Sequence, residues 1–178
     1  MPGISTRKIA FAGATAAIYA TLTIAFSFIG YGPIQFRIAE ALCILPFYFP
    51  ITVWGLFIGC IVANLISPYP LDVVVGPIAT LLAALCTSMI GKPRRENLSV
   101  KALACFPPVF FNAVFVGALI AYYMVGGGEA DAFLPAFAIN GLQVGFGQIV
   151  VLYAAGLPLM AYLPKSRLYY RLQEFYSG

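Results

Sequence analysis

Long stretches without a charged side chain make up most of this sequence. They cover residues 9–36, 41–71, 73–91, 102–128 and 132–164. A bilayer core about 30 Å thick takes roughly 20 apolar helical residues to cross, and these stretches match or exceed that length. Only 9% of the residues are charged, and a membrane β-barrel would show short alternating segments instead. The sequence therefore predicts an all-α integral membrane protein in which residues 1–178 form a single transmembrane domain.

Six transmembrane helices fit these stretches. Their predicted bounds lie near 9–29, 36–50, 51–67, 73–90, 102–125 and 132–163. The first run is long enough to span, so we expect a membrane helix there rather than a signal peptide. The length of stretch 41–71 alone suits either one long span or two short ones. A kink near Pro158 is an alternative to one long tilted helix at the end.

The positions of the basic residues resolve the ambiguity of stretch 41–71. Basic clusters lie at residues 7–8, 92–101 and 165–171, and the positive-inside rule puts all three in the cytoplasm. Both ends of stretch 41–71 are then outside, so it crosses twice or not at all. Pro46 and Pro50, followed by a new apolar run at Ile51, favour an inner turn and hence two crossings. We therefore expect six helices with both termini cytoplasmic. The net charge of +4 reflects membrane orientation and does not suggest nucleic-acid binding.

Two helices that share about 31 residues have roughly 15 residues each, or about 23 Å at 1.5 Å per residue. That length falls short of the bilayer core. If the second helix begins near Phe36, Arg37 and Glu40 lie on one helix face at the outer boundary. Charges at that depth usually face a bundle interior or a wet cavity.

Several kinds of chemistry are missing from the sequence. It has no histidine, the commonest general base and metal ligand, and its four cysteines lack metal-site spacing. No G-x-x-x-x-G-K-[ST] phosphate loop is present. We therefore expect no enzymatic activity, no metal and no cofactor. Any energised transport has to be driven by an ion or by a partner.

The first helix carries a stripe of small residues. Ala10 lies three and four residues before Gly13 and Ala14, and Ala17 lies four and three residues after them, which places all of these residues on one helix face. In lipid, small residues allow helix backbones to approach closely. The stripe either packs inside the bundle or forms a docking face for another subunit, and spacing alone does not decide between these.

Polar side chains within or beside the predicted spans are few. The candidate binding residues are Gln35, Arg37, Glu40, Asn64, Asp72, Asn112, Asn140 and Gln148. Each amide could simply join two helices. As a set, mostly in the outer half of the membrane, they suggest a pocket open to the outside for a flat polar ligand such as a heterocycle. The border aromatics Tyr31, Phe36, Tyr69 and Phe133 either stack on that ligand or belong to the interface belt.

Five segments carry a resemblance to a known family. They read YGPIQFRIAEALCILPFYFP, GLFIGCIVANL, LDVVVGPIATLLAAL, PPVFFNA and GLPLM. Together they resemble the QueT family, the substrate-binding S components of energy-coupling factor (ECF) transporters, which are associated with uptake of queuosine precursors. The resemblance extends from the first helix to about Met160. Its most specific part is QFRIAEAL, because charges so placed at a helix entrance are not generic membrane composition.

The resemblance implies a six-helix S component in a bacterial cell membrane, with both termini cytoplasmic. It implies that substrate is captured from outside and released inward by one T subunit and two ATPase subunits. Small A-x-x-x-A patterns on the first helix of S components resemble the docking surface for the T subunit. Here they match Ala10 with Ala14 and Ala16 with Ala20, which makes docking the preferred interpretation of the small-residue stripe.

The resemblance also implies a 7-deazaguanine substrate, either preQ1 or queuine. A carboxylate would accept hydrogen bonds from the N1–H and 2-amino edge, while an amide or Arg37 would serve the carbonyl. Glu40 is the first choice for that carboxylate and Asp72 the second. The resemblance implies an acidic residue at position 148, where this sequence has Gln148. The negative charge that would suit a substrate with a cationic aminomethyl group is therefore missing.

Two other functions are alternatives to an S component. A stand-alone carrier driven by protons or sodium would use Glu40 or Asp72 as its coupling carboxylate. A small membrane enzyme is disfavoured by the absent histidine and metal motif. Copurification with an ATPase module and ATP-dependent uptake would separate an S component from a stand-alone carrier.

Overall fold

The computed structural model describes residues 5–30, 34–93, 97–126 and 130–177, and within these ranges every regular element is helical. The elements are α1 (Thr6–Ala25), α2 (Ser27–Gly30), a 3₁₀ helix (Ile38–Phe47), α3 (Thr52–Asn64), α4 (Asp72–Gly91), α5 (Leu98–Ala104), α6 (Phe106–Met124), α7 (Ala130–Val151), a π-helical turn (Leu152–Gly156), α8 (Leu157–Tyr162), a 3₁₀ turn (Leu163–Lys165) and α9 (Arg167–Ser177). The predicted all-helical class is confirmed.

Four helical segments within the described residues are long and apolar enough to cross a membrane. They are Thr6–Ala25, Asp72–Gly91, Leu98–Met124 and Asp131–Lys165. Two further apolar helices, Ile38–Phe47 and Thr52–Asn64, are shorter. The fold is therefore that of a multi-pass membrane protein.

The first of the short apolar helices is 3₁₀ rather than α-helical. Its 10 residues extend about 20 Å, because a 3₁₀ helix rises about 2.0 Å per residue. The 13 residues of α3 reach a similar length of about 20 Å at 1.5 Å per residue. Pro46 lies within the 3₁₀ helix, and the chain turns after it, around Pro50. Both helices remain shorter than a bilayer core of about 30 Å.

Glycines allow α1 and α3 to pack closely. A Cβ added at Gly59 would lie 2.7 Å from the backbone oxygen of Ala16, so only glycine fits there without displacement. Tyr19 is buried in the same interface, and Ala20 is only 8% exposed. Ala16 and Ala20 therefore pack inside the bundle, and of the two A-x-x-x-A patterns only Ala10 with Ala14 lies on the exposed side of α1.

The C-terminal segment differs from a plain helix followed by a basic tail. The α7 helix continues through the π-helical turn into α8, and Pro158 lies in the first turn of α8. A π-turn and a proline are both recognised causes of helix kinks. Residues 167–177 then form α9, whose Tyr176 ring packs 5.4 Å from the ring of Phe49 and 6.0 Å from that of Phe11. The α9 helix therefore lies against the end of the bundle where α1 begins.

Candidate functional site

A buried ion pair joins two of the residues selected from the sequence. Arg37 Nη2 donates to Asp72 Oδ2 at 3.0 Å, and the two side chains are 2% and 1% exposed. Asp72 is the first residue of α4, where the positive end of the helix dipole favours a carboxylate. Charges so deeply buried are costly unless they are paired and hydrogen-bonded. The pair therefore fixes the start of α4 against the entrance of the 3₁₀ helix.

Two further side chains donate hydrogen bonds to Asp72. Ser67 Oγ donates to Asp72 Oδ2 at 2.9 Å, and Asn64 Nδ2 donates to the backbone oxygen of Asp72 at 2.9 Å. Asn64 was expected in the site from the sequence, whereas Ser67 was not. Because Ser67 lies in a loop among ordinary turn residues, nothing in its sequence context marked it.

Glu40 is fully buried in the 3₁₀ helix and is held by two donors. The hydroxyl of Tyr19 donates to Oε1 at 2.6 Å, and Cys43 Sγ donates to Oε2 at 3.0 Å. A carboxylate has about four acceptor positions, so these two bonds orient Glu40 and leave it able to accept more. Tyr19 was also missed, although a tyrosine inside an apolar helix usually needs a partner for its hydroxyl.

Cys60 on α3 joins the polar network around Asp72 through Asn64. Its sulfur accepts from Thr80 Oγ1 at 3.4 Å and from Asn64 Nδ2 at 3.6 Å. On the other side, the backbone N–H of Glu40 donates to the backbone oxygen of Arg37 at 2.9 Å. Arg37, Glu40, Asn64 and Asp72 therefore form one buried polar cluster between the 3₁₀ helix, α3 and α4.

Three amides form a second group of buried polar side chains. Gln35, Asn112 and Gln148 are each 1% exposed. Their side-chain oxygens have no hydrogen-bond partner within the described part of the chain, and the same holds for Asp72 Oδ1. Leaving a buried acceptor unsatisfied costs about 1–3 kcal/mol. A group of such acceptors calls for an explanation, and a bound ligand or ordered water supplies one.

Glycines on α7 permit close packing beside these amides. A Cβ at Gly147 would lie 2.9 Å from the carbonyl carbon of Gln35, and one at Gly145 would lie 3.3 Å from Ala113 Cβ. Gly147, the residue before Gln148, thus contacts Gln35 in the segment that leads to Arg37. Ala113, the residue after Asn112, contacts Gly145 of α7. The packing thus places Gln35, two residues before Arg37, against α7, and it places α6 against α7 at the level of Asn112.

Asn140 makes the contacts of a packing residue. Its Nδ2 donates to the backbone oxygen of Ala136 at 2.8 Å and contacts Met124 Sδ at 3.2 Å. The contact with Met124 joins α7 to α6, and the bond to Ala136 lies within α7. A binding role for Asn140 stays a prediction.

The border aromatics have different surroundings. Tyr69 packs 5.2 Å from the ring of Tyr123, while Phe133 stacks on Phe137 at 6.1 Å and lines a side groove with Phe115. Phe36 is half-buried beside Arg37. Tyr31 lies outside the described residues.

The small-residue stripe of α1 is accessible on the surface of the chain. Ala10, Gly13, Ala14 and Ala17 are all exposed, and a Cβ added at Gly13 would meet nothing within 4 Å. The opposite face of α1 carries the contacts with α3. Within the part of the chain that the structure describes, the stripe is therefore outside the α1–α3 interface.

Comparison with known proteins identifies the family. The QueT transporter family matches residues 9–165, which include both groups of buried polar residues. Queuosine precursor transporter QueT of Lactococcus lactis subsp. cremoris (strain MG1363) is 41% identical over 69 residues, which cover 38% of this chain and 41% of the relative. No solved structure is significantly similar. The resemblance seen in the sequence is confirmed, and the chain belongs to the QueT transporter family.

Proposed function

We propose that this chain is the membrane-embedded, substrate-binding subunit of an ECF-type importer. It captures a queuosine precursor, a 7-deazaguanine base such as preQ1 or queuine, from outside the cell. Family membership and the name of the Lactococcus relative support this substrate class. The observation that carries the proposal is the group of buried acceptor oxygens on Gln35, Asp72, Asn112 and Gln148, which have no partner among the described residues.

These oxygens suit the chemistry of a deazaguanine. Such a base is rich in donors, because its N1–H, 2-amino group and N9–H all carry hydrogens, while its carbonyl is an acceptor. A carboxylate can take N1–H and the amino group together in strong, charge-assisted hydrogen bonds. Glu40, oriented by Tyr19 and Cys43, is our first choice for that carboxylate, and Asp72 is the second. Arg37 or an amide would serve the carbonyl.

The proposed membrane arrangement has six spans with both termini in the cytoplasm. The four long segments supply four spans, and the short apolar helices Ile38–Phe47 and Thr52–Asn64 supply the other two. The basic residues before α1 and after Lys165 favour cytoplasmic termini. In this arrangement Asp72 is at the outer end of α4, because the basic segment 92–101 follows the inner end. The site then opens to the outside.

The partners in the proposal are one T subunit and two ATPase subunits. The sequence contains no phosphate-binding loop, so ATP hydrolysis has to come from another chain. The exposed stripe of Ala10, Gly13, Ala14 and Ala17 is the proposed contact with the T subunit, because small residues permit close helix approach in lipid.

Glu40→Gln is expected to weaken preQ1 binding roughly 10- to 100-fold. The amide supplies one acceptor oxygen instead of two, and losing a charged partner for a buried donor costs about 1.5–3 kcal/mol. Isothermal titration of the detergent-purified chain measures the effect. Glu174→Gln, at an exposed carboxylate on α9, is the matched control and should bind as the native chain does. Unchanged affinity in Glu40→Gln would remove Glu40 from the site and leave Asp72.

Uptake into proteoliposomes tests the transport mode. The proposal expects accumulation of preQ1 only when the T and ATPase subunits are present with ATP. Uptake by this chain alone, driven by a proton or sodium gradient, would instead establish the stand-alone carrier.

A further inference from the structure

Two arginines from opposite ends of the chain meet in a shallow pocket. Arg7 on α1 and Arg171 on α9 line it with Glu174 and Phe175, and its volume is about 330 Å³. Both arginines are exposed, and within the described ranges neither forms an ion pair. Two guanidinium groups against one carboxylate leave the pocket net positive. The pocket therefore favours an anion.

The beginning of α1 adds to this preference. Its first turn contains no acidic side chain, and Ser5 makes no side-chain capping bond. The first N–H groups of a helix lack intrahelical partners and carry the positive end of the helix dipole. Arg7 is the second residue of this helix, so the dipole and the arginine charge reinforce each other.

An apolar groove of about 460 Å³ adjoins the arginine pocket. Its walls include Ala10, Ala14 and Ile18 of α1, Leu45 of the 3₁₀ helix, and Leu172 and Phe175 of α9. Phe175 lines both spaces. From Ala10 to Ile18 the groove follows α1 for about 12 Å, at 1.5 Å per residue. A positive pocket therefore continues directly into an elongated apolar groove that runs along a membrane helix.

We propose that this composite site binds one anionic phospholipid. The phosphate lies between Arg7 and Arg171, and an acyl chain lies in the groove beside Ala10 and Ala14. The polar and apolar parts match the two ends of a lipid in the right order, and basic side chains at a membrane surface attract anionic headgroups. A zwitterionic headgroup would bring its own cation toward the arginines, so the site discriminates against it.

The lipid site overlaps the surface proposed for docking. Ala10 and Ala14 belong both to the apolar groove and to the docking stripe, so a bound acyl chain and a T subunit would exclude each other. This consequence rests on the proposed function. The lipid would cover Ala10 and Ala14 of the exposed stripe while the chain is free. Lipid binding itself requires neither the substrate nor the ATPase subunits.

Native mass spectrometry of the full chain in detergent tests the proposal. Phosphatidylglycerol and phosphatidylcholine with identical acyl chains are the two probes. We expect phosphatidylglycerol to be retained more strongly, and Arg7→Gln or Arg171→Gln each to weaken its binding about fivefold. Phosphatidylcholine binding should hardly change. Arg167→Gln, which removes an exposed arginine of α9 that does not line the pocket, is the matched control.

Equal retention of the two lipids would overturn the proposal, because it means that the arginines do not select an anionic headgroup. Equal effects of Arg167→Gln and Arg171→Gln would also overturn it, because they mean that surface charge in general, and not this pocket, attracts the lipid. A second variant tests the groove. Ala10→Trp fills it at an exposed position that does not threaten the fold, and both lipids should then be retained less. If phosphatidylglycerol binding survives Ala10→Trp unchanged, the acyl-chain site is wrong. These measurements involve the chain alone, so their failure would leave the proposed transport function untouched.

Discussion

Replacing Asp72 with asparagine is expected to lower the free energy of unfolding by about 3–5 kcal/mol, because it removes one partner of a buried ion pair. The side chains of Arg37 and Asp72 are 2% and 1% exposed, so water cannot replace the lost carboxylate. Asparagine keeps the size of the side chain and can still accept from Ser67. The effect therefore reports the lost charge rather than a cavity.

Thermal unfolding in detergent, followed by size-exclusion chromatography, measures this loss. Asp131→Asn is the matched control, because Asp131 is an exposed carboxylate in the first turn of α7, and it should leave the melting temperature unchanged. The double variant Arg37→Gln with Asp72→Asn removes both charges and should recover much of the stability of the native chain. It should not recover preQ1 affinity. A single Asp72→Asn variant as stable as the native chain would show that the ion pair does not hold the bundle together.

Replacing Ala14 with tryptophan is expected to abolish ATP-dependent uptake while leaving substrate binding intact. Ala14 is exposed on α1, on the side opposite the α1–α3 contact, so the larger side chain leaves that contact intact. A tryptophan at this position would prevent the close helix approach that small residues allow. The expected result is a normal preQ1 titration curve together with no accumulation in proteoliposomes that contain the T and ATPase subunits.

Ala138→Trp provides the control for that experiment. Ala138 is an exposed alanine on α7, so the same substitution is made on a different helix face, and uptake should continue. Persistent uptake in Ala14→Trp would exclude the α1 stripe as the docking face. Ala14 also lines the lipid groove, so a loss of uptake in Ala14→Trp has two possible causes, blocked docking and lost lipid binding. The single variants Arg7→Gln and Arg171→Gln distinguish between them. These arginine variants should bind phosphatidylglycerol about fivefold more weakly and keep uptake.

The sequence predicted the parts of the fold that depend on composition and local pattern. Uncharged runs predicted an all-helical membrane protein, and QFRIAEAL directed attention to Arg37 and Glu40. The 3₁₀ geometry of Ile38–Phe47 could not be read in this way, because apolar residues fill a 3₁₀ and a short α-helix alike. The α9 helix was overlooked for a different reason. Its Tyr169, Leu172 and Tyr176 recur at helical spacing, but frequent charges conceal the pattern in a search for apolar runs.

The connections within the site depend on tertiary packing and were not readable from the sequence. Arg37 and Asp72 are 35 residues apart, and their pairing requires α3 to return the chain to the entrance of the 3₁₀ helix. Tyr19 reaches Glu40 only because Gly55 and Gly59 let α1 pack closely on α3. Asn112 and Asn140 look alike in the sequence as amides within spans. Their environments differ, since Asn112 keeps a buried oxygen without a partner among the described residues, whereas Asn140 binds α6.

The most direct test of the central claim is mass spectrometry of the small molecule that the native chain carries through purification. The chain is produced without T or ATPase subunits in cells supplied with queuosine precursors, then denatured to release what it holds. We expect a 7-deazaguanine base such as preQ1 or queuine, and we expect its amount to fall sharply in Glu40→Gln. Release of a solute from an unrelated chemical class, at the same level in both proteins, would contradict the account.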